Sequence, residues 1–260
     1  MRWKTGAARA GLDFSSTPTV IMARSSRKTL GEKPSQRAAP LAKSPRTRAA
    51  KKAQAQTVLA RLNNEYPDAS CALDHHNPFE LVCATILSAQ CTDARVNMVT
   101  PMLFSRYPDA RTLAAADPEE VGEIIHSTGF YRAKARNLVS MAGTLVRDHA
   151  GVVPQSMEDL IKLAGVGRKT ANVVLGNAFN INEGIVVDTH VQRVSRRLGL
   201  TREPDPVGIE RDLMPLFPRE SWTLLSHLFI MHGRDTCHAR KPACERCLLA
   251  DICPSAFTLG

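Results

Sequence analysis

The sequence predicts an all-α fold with short connections, and three observations carry that prediction. Beyond about residue 49, apolar residues recur at three- and four-residue spacing, the period of a helix with one buried face. The periodic segments open on helix-starting residues and close on glycine or just before proline. No two neighbouring runs alternate apolar and polar residues as the strands of a hairpin do.

The segments follow in order. KKAQAQTVLARLNNEYP places Val58, Leu59 and Leu62 on one face and stops before Pro67. NPFELVCATILSAQ has Asn77 as N-cap and Pro78 at the first helical position, with a buried stripe of Phe79, Val82, Cys83, Ile86 and Leu87. TDARVNMVTPMLFSRYP, DPEEVGEIIHSTG and RAKARNLVSMAGTLVRDHA are three further helices. SMEDLIKLAG starts with Ser156 and Asp159 in capping-box spacing and ends at Gly165. RKTANVVLGNAF, VDTHVQRVSRRLGL, PVGIERDLMPLFP and SWTLLSHLFIMHG complete the set.

Residues 1–48 have no such period. They are rich in Arg, Lys, Ser and Ala, with Pro18, Pro34, Pro40 and Pro45 scattered through, and bury too little apolar surface to offset ordering, so a disordered basic extension is expected. The composition is also that of an organelle transit peptide, and Met22 offers a second start. Most of the positive charge lies here: residues 1–52 hold 13 Lys/Arg and 2 Asp/Glu, which leaves the rest of a +9 chain at −2. Any anion site in the folded part must therefore be local.

A chain of 260 residues, 43% of them hydrophobic, can bury one large core or two small ones. No apolar run approaches the roughly 18 residues of a membrane span, so no membrane partner is expected. Four of the seven cysteines crowd into residues 237–253, and no secretory signal opens the chain. The odd count with its C-terminal cluster fits a reducing cytoplasm rather than a disulfide framework.

The stretch LAGVGRKTAN (163–172) carries chemistry. One helix ends at Gly165, where a left-handed C-cap favours glycine, and another starts after Gly167, giving a helix–hairpin–helix. Free N–H groups at the hairpin and the second helix's N-terminus make a local anion site. Lys169 sits in the first turn of that helix, where the helix dipole and Arg168 both disfavour an ammonium. Two readings stand: a plain phosphate-binding lysine, which these residues alone favour, or an amine nucleophile. IVVDTHVQR (185–193) places Asp188 after an apolar run and before a helix. It is an N-cap, or a carboxylate facing the amine.

The C-terminal cysteines read Cys237-x6-Cys244-x2-Cys247-x5-Cys253. Structural zinc sites pair two tight knuckles, whereas only one tight pair occurs here. A compact loop around an iron–sulfur cluster, which takes four thiolates, suits the spacing better.

With these three motifs in this order, the chain resembles the endonuclease III family of DNA glycosylase/AP lyases over about residues 50–255. ILSAQCTD (86–93), STGFYRAKA (127–135) and MHGRDTC (231–237) agree. The resemblance implies two helical domains: a six-helix barrel with the hairpin over 71–181, and a discontinuous [4Fe–4S] domain from 49–70 plus 182–260. Lesion-containing double-stranded DNA would run across the cleft, with the damaged base flipped out. Lys169 and Asp188 match the catalytic pair, and Cys237, Cys244, Cys247 and Cys253 the cluster ligands. Gln90 matches the residue that fills the gap left by the flipped base, and Phe130 the opposite-strand wedge. DNA contacts from Gly165, Gly167, Arg168 and His190 are also implied. Ala164 replaces the proline that usually opens the hairpin. The implied function is removal of oxidised pyrimidines and cleavage 3′ to the abasic site by β-elimination, performed by a monomeric, cytoplasmic, nucleoid-associated protein. The rival readings are an adenine-mismatch glycosylase, which lacks a lysine at position 169, and a non-catalytic DNA-binding iron–sulfur protein.

Overall fold

The computed structural model describes residues 42–258; the extension expected to be disordered lies, up to residue 41, outside the described residues. Among the described residues there are eleven α-helices, three short 3-10 turns and no strand. The first helix, α1 (Arg48–Glu65), is capped by Thr47, whose Oγ1 accepts from Ala50 N at 3.1 Å. In α2 (Pro78–Leu87), Asn77 Oδ1 accepts from Glu80 N and Pro78 occupies the first turn. Then come α3 (Asp93–Arg106), α4 (Ala110–Ala114), α5 (Pro118–Ile125) and α6 (Tyr131–His149). The chain continues through α7 (Met157–Leu160), α8 (Arg168–Phe179), α9 (Thr189–Arg197), α10 (Pro206–Leu213) and α11 (Trp222–Asp235).

The helices bury two separate apolar cores. One runs from Leu73 to Leu175 and takes side chains from α2 to α8. The other joins Ala55, Val58 and Leu62 of α1 and its C-cap Tyr66 to residues between Ile185 and Leu249. The α2 helix is buried all round rather than along a stripe: Glu80, Leu81, Ala84 and Thr85 are covered as well. Its two buried polar side chains are satisfied. Glu80 accepts from His76 N and Asn77 Nδ2, and Thr85 Oγ1 donates to Leu81 O.

Two elements differ from the sequence expectation. The helix expected over 156–165 ends at Leu160 and continues as tight turns, with Lys162, Leu163 and Val166 each donating to the carbonyl three residues back. Leu160, Leu163 and Val166 are all buried, and a three-residue repeat holds them on one face where an α-helix would rotate them apart. Between α3 and α5 the short α4 appears, closed by a capping box of Asp109 and Thr112. No described helix is long and apolar enough to cross a membrane.

Candidate active site and cysteine loop

Gly165 adopts φ +78°, and a Cβ there would meet Asn137 at 3.2 Å, so both backbone and space call for glycine. Gly167 caps α8 in an extended conformation with no side chain to occupy the helix's first N–H groups. Open space surrounds the position a Cβ would take. The hairpin therefore presents unmasked amide donors at a helix N-terminus.

Lys169, in the first turn of α8, is exposed and has no hydrogen-bond or ion-pair partner among the described residues. Arg168 beside it turns to α10 instead. Its Nε and Nη2 each donate at 3.1 Å to the buried carboxylate of Glu210, which also accepts from Asn172 Nδ2. That ion pair neutralises the charge expected to repel Lys169.

Asp188 caps α9. Its Oδ1 accepts from His190 N and Val191 N, both at 2.8 Å, which leaves Oδ2 without a partner among the described residues. The same carboxylate thus fixes the helix with one oxygen and leaves the other open to the cleft. Lys169 and Asp188 line one cleft of about 600 Å³. Both also line an adjoining hollow with His190, Ser88, Cys91 and Asp93.

His190 is held by Arg193, whose Nη2 donates to His190 Nδ1 at 3.0 Å and to Gly233 O at 2.8 Å. With Nδ1 accepting, the ring proton of the neutral form sits on Nε2. Burial lowers the His190 pKa and outweighs the nearby Asp188 carboxylate. Gly233 lets α11 approach this closely, because a Cβ there would stand 2.8 Å from His190 Nδ1.

The sequence motifs pointed past several cleft residues. Asp93 and Arg234 pair across it at 2.5 Å, one from ILSAQCTD and the other from MHGRDTC. Asn177 and His227 join at 2.7 Å on its wall, with burial lowering the His227 pKa. Neither His227 nor Asn177 lies in a motif, so only their positions on the inward faces of α8 and α11 could have flagged them. Gln90 and Phe130 stand outside the cleft lining. Both are exposed with left-handed backbones, φ 52° and φ 48°.

Cys237, Cys244, Cys247 and Cys253 line a second cavity, and none is in a disulfide. Burial, with the neighbouring sulfurs adding, raises the Cys247 thiol and pushes Cys253 up to about 11. Four clustered thiolates need a cationic centre to be stable there. Four cysteines around one cavity suit an iron–sulfur cluster, which takes four thiolates. Arg197 Nη1 donates to Cys237 Sγ at 3.2 Å, and His232 Nε2 lies 3.7 Å from Cys247 Sγ. His232 Nδ1 is buried without a partner, and burial brings the imidazole down to about 4. A neutral ring with its proton on Nε2 then serves the sulfur as a donor.

The fold and its two sites define a class. Residues 83–219 match the family model of HhH-GPD superfamily base excision DNA repair proteins, and residues 237–253 match the iron–sulfur binding domain of endonuclease III. Endonuclease III of Synechocystis sp. is 56% identical over 211 residues, covering 81% of this chain and 96% of the relative. That of Bacillus subtilis is 45% identical over 201 residues, covering 77% and 91%. A solved trapped endonuclease III–DNA covalent intermediate superposes with a TM-score of 0.75 at 44% identity, covering 80% of this chain and 97% of that one. A thermostable thymine-DNA glycosylase, 21% identical, shares the fold with a TM-score of 0.70. The chain belongs to the endonuclease III family. It is a DNA N-glycosylase and AP lyase of base excision repair, and its cysteine loop carries a [4Fe–4S] cluster.

Proposed function

We propose that the enzyme removes oxidised pyrimidines from double-stranded DNA and then cuts 3′ to the abasic site through a Schiff base on Lys169. The observation that carries this reading is the pairing of an unpartnered lysine and a half-free carboxylate in one cleft. Lys169 Nζ, as the neutral amine, attacks C1′ of the flipped nucleoside, and the base leaves with the glycosidic electron pair. Asp188 Oδ2 takes the amine proton or stabilises positive charge developing on the sugar. Opening of the sugar ring gives the imine. Loss of a C2′ proton then drives β-elimination of the 3′ phosphate.

The hairpin's free N–H groups would grip a backbone phosphate near Lys169, which a nearly neutral fold cannot hold by net charge. Gln90 would fill the space the flipped base leaves, and Phe130, 69% exposed, would wedge into the opposite strand. His190 would face the DNA from the first turn of α9. With Arg168 committed to Glu210, the phosphate contact assigned to it would come from its backbone N–H. Held by Cys237, Cys244, Cys247 and Cys253, the cluster supplies a covalent tie that shapes this loop. The two cores support a division into a barrel domain over 71–181 and a discontinuous domain from 49–70 plus 182–260. We assign the protein to the cytoplasm, as a monomer at the nucleoid.

Borohydride trapping against a panel of lesion duplexes tests the reading. Oxidised-pyrimidine duplexes should give a covalent adduct and mismatched adenine none. The absence of any adduct would overturn the Schiff base on Lys169 while leaving the glycosylase assignment in place.

A further inference from the structure

Lys134, the fourth residue of α6, is only 4% exposed and has no carboxylate partner among the described residues. A buried ammonium without a counter-charge is costly, and an apolar side chain would be cheaper at this position. Its compensation comes from two carbonyl groups. Lys134 Nζ donates at 2.8 Å to Leu87 O and at 2.8 Å to Thr128 O. Leu87 ends α2, and Thr128 ends the 3-10 turn His126–Thr128, so each carbonyl is one that its own helix leaves unpaired. The negative end of the α2 dipole adds to the attraction.

Each of those two carbonyls stands at the base of a loop with an exposed tip. Three residues after Leu87 comes Gln90, and two residues after Thr128 comes Phe130. Both take the left-handed backbone that non-glycine residues adopt at a cost, and both side chains are turned out to solvent. Strain of this kind persists only where the surroundings enforce it. The Phe130 backbone is held further by its carbonyl, which accepts from Ala133 N and Lys134 N. One ammonium therefore ties together the bases of two loops.

We propose that Lys134 is a positioning residue that fixes the spacing between Gln90 and Phe130, so that both side chains enter one lesion site in duplex DNA. The inference rests on the roles proposed above for Gln90 and Phe130. A gap-filling residue on one strand and a wedge on the other work only at a set separation. Two independent loops would lose that separation to their own motion.

The test uses the full-length holoenzyme and compares excision from a lesion duplex with cleavage at an abasic site in a single strand, where there is no opposite strand to wedge. Lys134→Met keeps length without donors. It should lower the duplex-to-single-strand activity ratio by about tenfold or more. Lys134→Arg keeps a cation with several donors and should recover most of that ratio. If the methionine variant does not fold, Lys134→Gln takes its place. In a Gln90→Ala/Phe130→Ala background, replacing Lys134 should cost little further, because the tips it positions are gone. An equal penalty in both backgrounds, or parallel losses on duplex and single strand, would overturn the proposal and leave Lys134 a stability residue. Were the Gln90→Ala/Phe130→Ala enzyme itself unimpaired on duplex, the wedge roles would fall first and the positioning role with them.

Discussion

Asp188 and Arg197 stand at opposite ends of one nine-residue helix, with Asp188 capping its first turn and Arg197 gripping the Cys237 loop from its last. Between them Arg193 reaches back to His190 Nδ1 and across to Cys237 O. The α9 helix is thus a strut from the cleft to the cysteine loop, and damage at either end should be felt along it.

At the cleft end, Asp188→Asn keeps an oxygen for the N-cap and loses the charge. Stability should change little, since the cap alone is worth about 1 kcal/mol and survives. Base release should slow roughly 100-fold or more. Cleavage at a preformed abasic site should suffer less, because no base has to be expelled. Equal slowing of the two steps would assign Asp188 to the geometry of the cleft and the α9 cap rather than to base departure.

Lys169→Gln removes the amine and should abolish both base release and borohydride trapping. Lesion binding should persist, since the hairpin's backbone donors do not involve the lysine side chain. A trapped adduct with this variant would mean that another amine is the nucleophile.

At the far end, Arg197 donates to Cys237 O, Cys237 Sγ, His238 O and Ala239 O. Arg197→Leu removes these bonds; Cys237 O keeps its bond from Arg193 and the exposed His238 and Ala239 carbonyls can turn to water, so the cost should be about 1 kcal/mol. Cluster content, followed by the brown visible absorption and by iron per chain, should fall with it. Cys244→Ser, which removes one of the four proposed ligands outright, sets the lower bound for colour and soluble yield. An Arg197→Leu protein that retained full colour through repeated purification would show that the ligand loop does not depend on the strut.

Much of this arrangement is legible locally. Asn77–Pro78 announces the start of α2, Gly165 its positive φ, and Asp188 its N-cap, because each depends on a few adjacent residues. The complete burial of α2 is less plain, although its segment has only Glu80 and Thr85 as polar residues. The Arg168–Glu210 pair spans 42 residues and has no local signal. Nor does the Lys134 clamp, whose acceptors are main-chain carbonyls and so leave no trace in residue identity. The hairpin's first helix is shorter than the sequence predicts, because an apolar period of three also fits one side of an α-helix over so few residues.

Truncation before residue 42 deletes 8 Lys/Arg and 2 Asp/Glu while leaving the Thr47 cap of α1 intact. The melting temperature should barely change. Affinity for undamaged duplex should fall, and its dependence on salt should flatten as fewer phosphate counterions are released. A salt slope equal to that of the full chain would show that the extension makes no DNA contact.

Acid should weaken the fold partly through His227. Burial lowers its pKa from the ordinary 6.5, so the folded protein keeps the ring neutral while the unfolded chain takes up a proton. Above about pH 6.5 both states are neutral and the histidine adds no pH dependence. As pH falls below that value, stability is lost progressively until the folded-state pKa is reached, by at most about 1.4 kcal/mol per pH unit for one such group. His227→Gln can still donate to Asn177 Oδ1 and cannot titrate, so it should flatten part of the decline in melting temperature between about pH 7.5 and about pH 5.5. Half-buried His190 and buried His232 shift in the same direction and add to the decline. Parallel curves for the two proteins would mean that His227 is solvated and titrates alike in both states.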